Sequence, residues 1–184
     1  MNPRNVVFWA TLVVGVVADQ LSKAWIVANL ELYRGEVVVI PGLFSLVHSQ
    51  NPGAAFGFMR DGKYNREIFL AMTLVAVAVC IDMYRRLPKE ERFASFTLGL
   101  ILSGAIGNAI DRVRFGYVTD FLRFYTDHPP LKAWLIERIG TYEYPSFNVA
   151  DSALVVGVTV FFLHYLLMGD REVADVPTAT PSAP

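Results

Sequence analysis

Cysteine is almost absent from this chain: Cys80 stands alone, so no internal disulfide can form, and its place inside an apolar run fits a small packing residue rather than a reactive thiol. Basic stretches interleaved with aromatics are lacking as well, and a formal net charge of -1 offers no general attraction for a polyanion, which sets nucleic acid aside as a partner. The three histidines, His48, His128 and His164, lie far apart with no close ligand spacing, which argues against a catalytic zinc site. No serine or cysteine stands in a recognisable nucleophile motif, and no internal repeat is evident. Charged residues are scarce at 18%, whereas hydrophobic residues make up 54% and mean hydropathy is +0.40, too apolar for an ordinary soluble domain. At 184 residues the natural expectation is one membrane-embedded folding unit over 1–184.

Hydropathy marks four segments, roughly Val6 to Val27, Ile68 to Tyr84, Phe93 to Ile110 and Val149 to Met168, each near the ~17 to 25 residues that cross a bilayer core as helix. The short link from Arg85 to Arg92 gathers Arg85, Arg86, Lys89 and Arg92, and by the positive-inside rule it is cytoplasmic. An even number of spans then puts both termini inside and two long segments, about 28–67 and 113–148, outside. Arg4 followed by an apolar run ending in Val16-Val17-Ala18 has features of a cleavable signal peptide, but hydrophobicity resumes in Ala24-Trp25-Ile26-Val27, so the whole segment reads as a span. A tail rich in Pro, Thr and Ala, about 170–184, reads as disordered.

In the first outer segment, β-branched Glu36 to Ile40, the turn Pro41-Gly42 and the return Leu43 to Val47 predict a small antiparallel sheet. In the second, Leu131 to Ile139 mixes apolar and charged residues after Pro129-Pro130, which predicts a short amphipathic helix with Trp134 at the lipid headgroups. The expected fold is therefore a mainly α membrane protein: four transmembrane helices, a small extracytoplasmic β-sheet and a short amphipathic periplasmic helix.

Helix direction and a rise of about 1.5 Å per residue set the depth of each polar residue within the spans. Asp19 and Lys23 fall in the outer part of the first span, Asn108, Asp111 and Arg112 at the outer end of the third, and Asn148 and Asp151 at the outer start of the fourth. Asp120 lies just beyond the third span and Asn51 in the first outer segment, while Asp82 sits at the opposite, inner end of the second. Asp19 with Lys23 and Asn108 with Arg112 are spaced i,i+4, and Asn148 with Asp151 i,i+3, so each pair shares a helical face. A charge in hydrocarbon costs about 2.5 kcal/mol or more, so these residues should face the bundle interior and find partners there. Asp111 beside Arg112 reads first as a structural ion pair, and Asp19 with Lys23 reads equally as structural or functional. Asp120 and Asp151 have no cationic neighbour in sequence, and both sit where spans meet water. Two carboxylates brought together tend to share one proton near neutral pH, which supplies a general base and a general acid together.

The polar motifs are Asp19-Gln20-Leu21-Ser22-Lys23, Asn51-Pro52-Gly53-Ala54-Ala55-Phe56, Gly104-Ala105-Ile106-Gly107-Asn108-Ala109-Ile110-Asp111-Arg112, Gly116-Tyr117-Val118-Thr119-Asp120-Phe121 and Phe147-Asn148-Val149-Ala150-Asp151. In this order between four spans, the chain resembles the lipoprotein signal peptidases, or signal peptidase II, aspartic peptidases of the bacterial inner membrane. The resemblance implies that Asp120 and Asp151 are the catalytic dyad, that Asn51, Asn108, Arg112 and Asn148 line the site, and that Asp19 and Lys23 are mainly architectural. Gly53, Gly104 and Gly107 allow close backbone approach, with turn and packing roles favoured. Ser103 stands where the family often has a second glycine, and the stretch from Arg123 to Ser146 is the variable part of such proteins.

The expected reaction is attack of a water held between Asp120 and Asp151 on a peptide carbonyl, with Arg112, Asn108 and Asn51 positioning or polarising the substrate and no metal or cofactor required. By resemblance, the substrate is a prolipoprotein cut before its diacylglyceryl-modified cysteine, membrane lipids are the other partner, and globomycin-type inhibition is expected. A small proton-coupled transporter and a non-catalytic membrane scaffold are the competing readings, the first weakened by the absence of repeats and of a midplane site.

Overall fold

The computed structural model describes residues 2–53 and 65–174, with side chains described from 66 to 167 in the second stretch. The first helix, α1, covers Pro3–Asn29: Asn2 accepts the Arg4 N–H at 3.1 Å and Pro3 opens the helix where no N–H is needed. α2 spans Asn65–Arg86 and α3 spans Arg92–Phe115, the latter capped by the Glu91 carboxylate on the Ala94 N–H and ended by Gly116 at φ +83°. α3 continues past Ile110 because its final turns carry Asp111, Arg112 and Arg114, which hydropathy scores as the end of a span although the backbone stays helical. The last helix, α5, covers Val149–Ala174, so it runs past Asp170, where a disordered tail was expected to begin; 175–184 lie outside the described residues.

These four helices are long and apolar enough to cross a membrane. α3 is the most enclosed, packed against α1, α2 and α5, while Val13, Val14, Leu74, Val75, Val155 and Leu166 on the surrounding helices point outward, as lipid-facing residues do. Near the Arg85–Arg92 link, Phe8, Leu12, Cys80, Tyr84, Leu98, Ile101 and Leu102 form an apolar core, with Phe8 stacked on Tyr84 at 4.0 Å. Cys80 is thus a packing residue. The Tyr84 hydroxyl donates to Asn5 Oδ1 at 2.6 Å and the Arg4 guanidinium to the Leu87 carbonyl, so the start of α1 and the α2–α3 link occupy one end of the bundle.

The other end carries a sheet. β1 (Glu36–Ile40) pairs antiparallel with β2 (Phe44–Asn51) across a turn in which Gly42 adopts φ +73°. A third strand, β3 (Val118–Phe124), comes from the second long connection and pairs antiparallel with β2, giving the order β1-β2-β3. The hairpin matches the sequence expectation, whereas β3 was not anticipated. A register shift between Leu46 and Ser49 leaves Ser49 opposite Asp120. Single bridges, Leu122 with Phe147 and Tyr125 with Glu143, attach the segment before α5 to the free edge of β3. The short helix α4 (Pro129–Ile139) buries none of its residues and leaves Leu131, Trp134, Ile136 and Ile139 exposed, as an interfacial amphipathic helix would.

Candidate active site

The Leu122–Phe147 bridge brings the two carboxylates together. Phe147 donates its N–H to the Leu122 carbonyl at 3.1 Å, and the next residue, Asn148, is fully buried beside Asp120. Asn148 is the N-cap of α5 and Asp151 its third residue: the Asp151 N–H donates to Asn148 Oδ1 at 2.9 Å, and the Asn148 N–H to Asp151 Oδ2 at 3.1 Å. This reciprocal capping box is built from Asn and Asp. The same Asn148 side chain donates from Nδ2 to Asp120 Oδ1 at 2.7 Å. One asparagine therefore ties the strand carboxylate to the helix carboxylate.

Each remaining carboxylate oxygen has its own amide donor. Asn51, at the end of β2, donates to Asp120 Oδ2 at 3.0 Å, and Asn108 of α3 donates to Asp151 Oδ1 at 2.7 Å. Ser49 Oγ donates to the Asp120 carbonyl at 3.0 Å, which pins the strand itself. Asp120 is only 3% exposed, whereas Asp151 is half-buried. Burial, and then the charge of Asp151, push the Asp120 carboxyl up from 3.8 to about 6, against hydrogen bonds from Asn51 and Asn148 and the charge of Lys23, which favour its ionised form.

Behind the dyad lies a buried charged cluster. Lys23 Nζ is 2.9 Å from Asp19 Oδ2 and 3.2 Å from Asp111 Oδ2, and it donates to Asn108 Oδ1 at 3.0 Å. Asp19 also accepts the Ala150 N–H at 2.9 Å, and Asp111 the Thr119 N–H at 3.0 Å. Gln20 Nε2 lies within hydrogen-bond range of Asp19, Asp111 and the Gly107 carbonyl. The expected pairing of Asp111 with its neighbour Arg112 is not what forms: successive helical residues project about 100° apart, so Asp111 faces α1 and Lys23 while Arg112 faces α2. Arg112 donates to the Asn108 carbonyl at 3.4 Å, and its guanidinium sits over the Phe69 ring, 4.4 Å from the centroid.

Gly53 explains the spacing on that side. Its φ of +101° is left-handed, its N–H donates to Asn51 Oδ1 at 2.9 Å, and a Cβ there would lie 2.5 Å from the Phe69 ring. Close helix contact also requires small residues at Gly107, where a Cβ would meet Asp19 Oδ2 at 2.6 Å, and at Gly104, where it would run into the Ala150 carbonyl. Ser103 is buried against Gly15 of α1, so a small residue is kept there.

Of the residues singled out in the sequence, Asn51, Asn108, Asp120, Asn148 and Asp151 join in one hydrogen-bonded group. Asp19, Lys23 and Asp111 stand directly behind it, and Gly53 and Arg112 flank it. Asp82 is far away, paired with Arg86 at 2.8 Å on an exposed face. Ala54, Ala55 and Phe56 lie outside the described residues. Sequence reasoning missed Gln20, Phe69 and the N–H groups of Thr119 and Ala150; Gln20 sits inside a motif already noted, whereas nothing in the sequence marks Phe69 as a platform for Arg112.

A model of the signal peptidase (SPase) II family matches residues 11–167. The chain belongs to the signal peptidase II family. A lipoprotein signal peptidase of Geobacter metallireducens is 41% identical over 175 residues, covering 95% of this peptidase and 99% of its relative. One from Pseudomonas aeruginosa is 38% identical over 156 residues, covering 84% of each. Two solved structures of bacterial membrane enzymes, at 1.9 and 2.3 Å resolution, superpose with TM-scores of 0.70 at 28% and 26% identity. They cover 86% and 96% of the peptidase and 92% and 93% of their own chains. The peptidase is thus a multi-pass membrane protein with a small sheet, and family membership sets aside the transporter and scaffold readings.

Proposed function

We propose that this signal peptidase is an aspartic endopeptidase in which Asp120 and Asp151 activate one water, and that it releases the signal peptide of prolipoproteins by cutting before the diacylglyceryl-modified cysteine. The observation that carries the reading is Asn148, which hydrogen-bonds Asp120 through its side chain while exchanging cap bonds with Asp151. Asp120, whose carboxyl is raised to about 6, holds the shared proton and donates it toward the carbonyl oxygen as the oxyanion forms; Asp151 takes the proton of the attacking water. The tetrahedral intermediate then collapses, breaking the C–N bond as a proton passes to the leaving amine. Arg112 lies beside the dyad, where it steadies the developing negative charge.

The positive-inside rule, applied to Arg85, Arg86, Lys89 and Arg92, puts that link and both termini in the cytoplasm and the sheet, α4 and dyad at the outer face of the bacterial inner membrane. A lipid-modified substrate already lies in the bilayer, so its scissile bond meets the dyad where hydrocarbon ends. Chain 1–184 acts as one unit in this account. Purified enzyme should cleave a diacylglyceryl-modified prolipoprotein and not the unmodified precursor, withstand chelators and serine- or thiol-directed reagents, and be blocked by globomycin. Loss of cleavage to a chelator or to either reagent would contradict the aspartic mechanism.

A further inference from the structure

The buried Asp19–Lys23–Asp111 cluster touches the dyad's own hydrogen bonds at one point, the Asn108 side chain. Asn108 Oδ1 accepts from Lys23 Nζ at 3.0 Å and from Asn148 Nδ2 at 3.1 Å, while its Nδ2 donates to Asp151 Oδ1 at 2.7 Å. A primary amide has two nearly isosteric ends, so its direction is set by its partners. An ammonium has donors only and cannot accept. With Lys23 in place, a reversed Asn108 would press NH2 against NH3+ and aim its carbonyl at the Asp151 carboxylate.

From this geometry we propose that Lys23 is a positioning residue for the reaction, orienting the Asn108 amide so that its NH2 end is always presented to Asp151. The inference rests on the aspartic dyad reading above. Asp19 and Asp111 hold the ammonium in place: Asp19 is fixed by the Ala150 N–H of α5, and Asp111 by the Thr119 N–H of β3. The two elements that deliver the catalytic carboxylates thus also locate the lysine. Lys23 is 4% exposed and lies four residues from Asp19, so that pair shares one face of α1, and Asp111 of α3 closes the cluster. When Asp151 picks up the water proton, a free amide would turn to accept from the new hydroxyl; Lys23, which unlike the reversible Asn148 amide can only donate, opposes this turn. Its charge also reaches Asp120, whose ionised form it favours, alongside Asp151 of α5, which opposes ionisation, and Arg112 of α3, which favours it.

The test compares full-length wild type with Lys23→Met and with the double variant Lys23→Met/Asp111→Asn, which keeps the cluster's net charge of -1, since one carboxylate then remains where two carboxylates and one ammonium stood. Asp120→Asn and Asp151→Asn run in parallel. Each folded variant is assayed for cleavage of a diacylglyceryl-modified prolipoprotein across pH, with rates expressed per folded molecule. The expected result is a kcat lower by roughly tenfold or more with KM little changed, the scale on which loss of a partner that orients a site ligand acts. In Lys23→Met the falling limb of kcat/KM should also move to higher pH, because Asp120 loses a positive charge that favours ionisation. In the charge-matched double variant the limb should return toward its wild-type position while kcat stays low. Wild-type kcat in the double variant would overturn the proposal. So would a Lys23→Met variant with a reduced folded fraction but wild-type kcat per folded molecule and an unmoved limb, which is what a purely structural lysine gives. Full activity in either dyad variant would instead overturn the dyad itself, and this inference with it.

Discussion

Replacing Asn51 with alanine removes a hydrogen bond that favours the ionised form of Asp120, so the carboxyl should titrate above its wild-type value of about 6. On the proposed mechanism Asp120 of the free enzyme holds its proton to act as acid, so kcat/KM should fall as pH rises through about 6 in wild type and at higher pH in Asn51→Ala. A falling limb that stays put in the variant would contradict the hydrogen bond's role. The same raised carboxyl affects stability. Folded Asp120 keeps its proton to higher pH than an unfolded aspartate, so its contribution to thermal stability is complete below 3.8 and is lost as pH rises toward about 6. Asp120→Asn should flatten that part of the pH–Tm curve. At this scale the sequence was highly informative, because intramembrane carboxylates and amides are costly and stand out against apolar runs. It misled at Asp111, where sequence adjacency to Arg112 counted for less than helical projection toward Lys23.

Asp120 and Asp151 meet because an edge of β3 accepts one bridge from the segment before α5. Phe147→Pro deletes the N–H that bonds the Leu122 carbonyl, so Asn148 should shift and cleavage fall on the order of 100-fold, as misplacement of about 1 Å does. The helices themselves should remain, which circular dichroism would confirm; unchanged activity would show that the bridge does not position the dyad. On the helix side, Gly107→Ala places a methyl 2.6 Å from Asp19 Oδ2 and 3.1 Å from Ala150 Cβ, and thermal unfolding in detergent should register a loss of about 1–3 kcal/mol. The spans and the β1–β2 hairpin were legible from hydropathy and from the Pro41-Gly42 turn. β3 was not, since its short run carries a buried aspartate and its strand identity comes from pairing with β2, a long-range contact that local pattern does not encode.

Over the whole molecule, the proposed topology rests on the charge of one short link. In a Cys80→Ala background, Glu137→Cys on exposed α4 should react with a membrane-impermeant maleimide in intact spheroplasts, and Lys89→Cys only after permeabilisation; the reverse pattern would invert the topology. The central claim is that the water-activating groups are Asp120 and Asp151 and no others. Its most direct test is cleavage of a diacylglyceryl-modified prolipoprotein by purified Asp120→Asn and Asp151→Asn variants shown to be folded, each beside wild type. The account requires cleavage by wild type and none above background by either variant, and full activity in either one would contradict it.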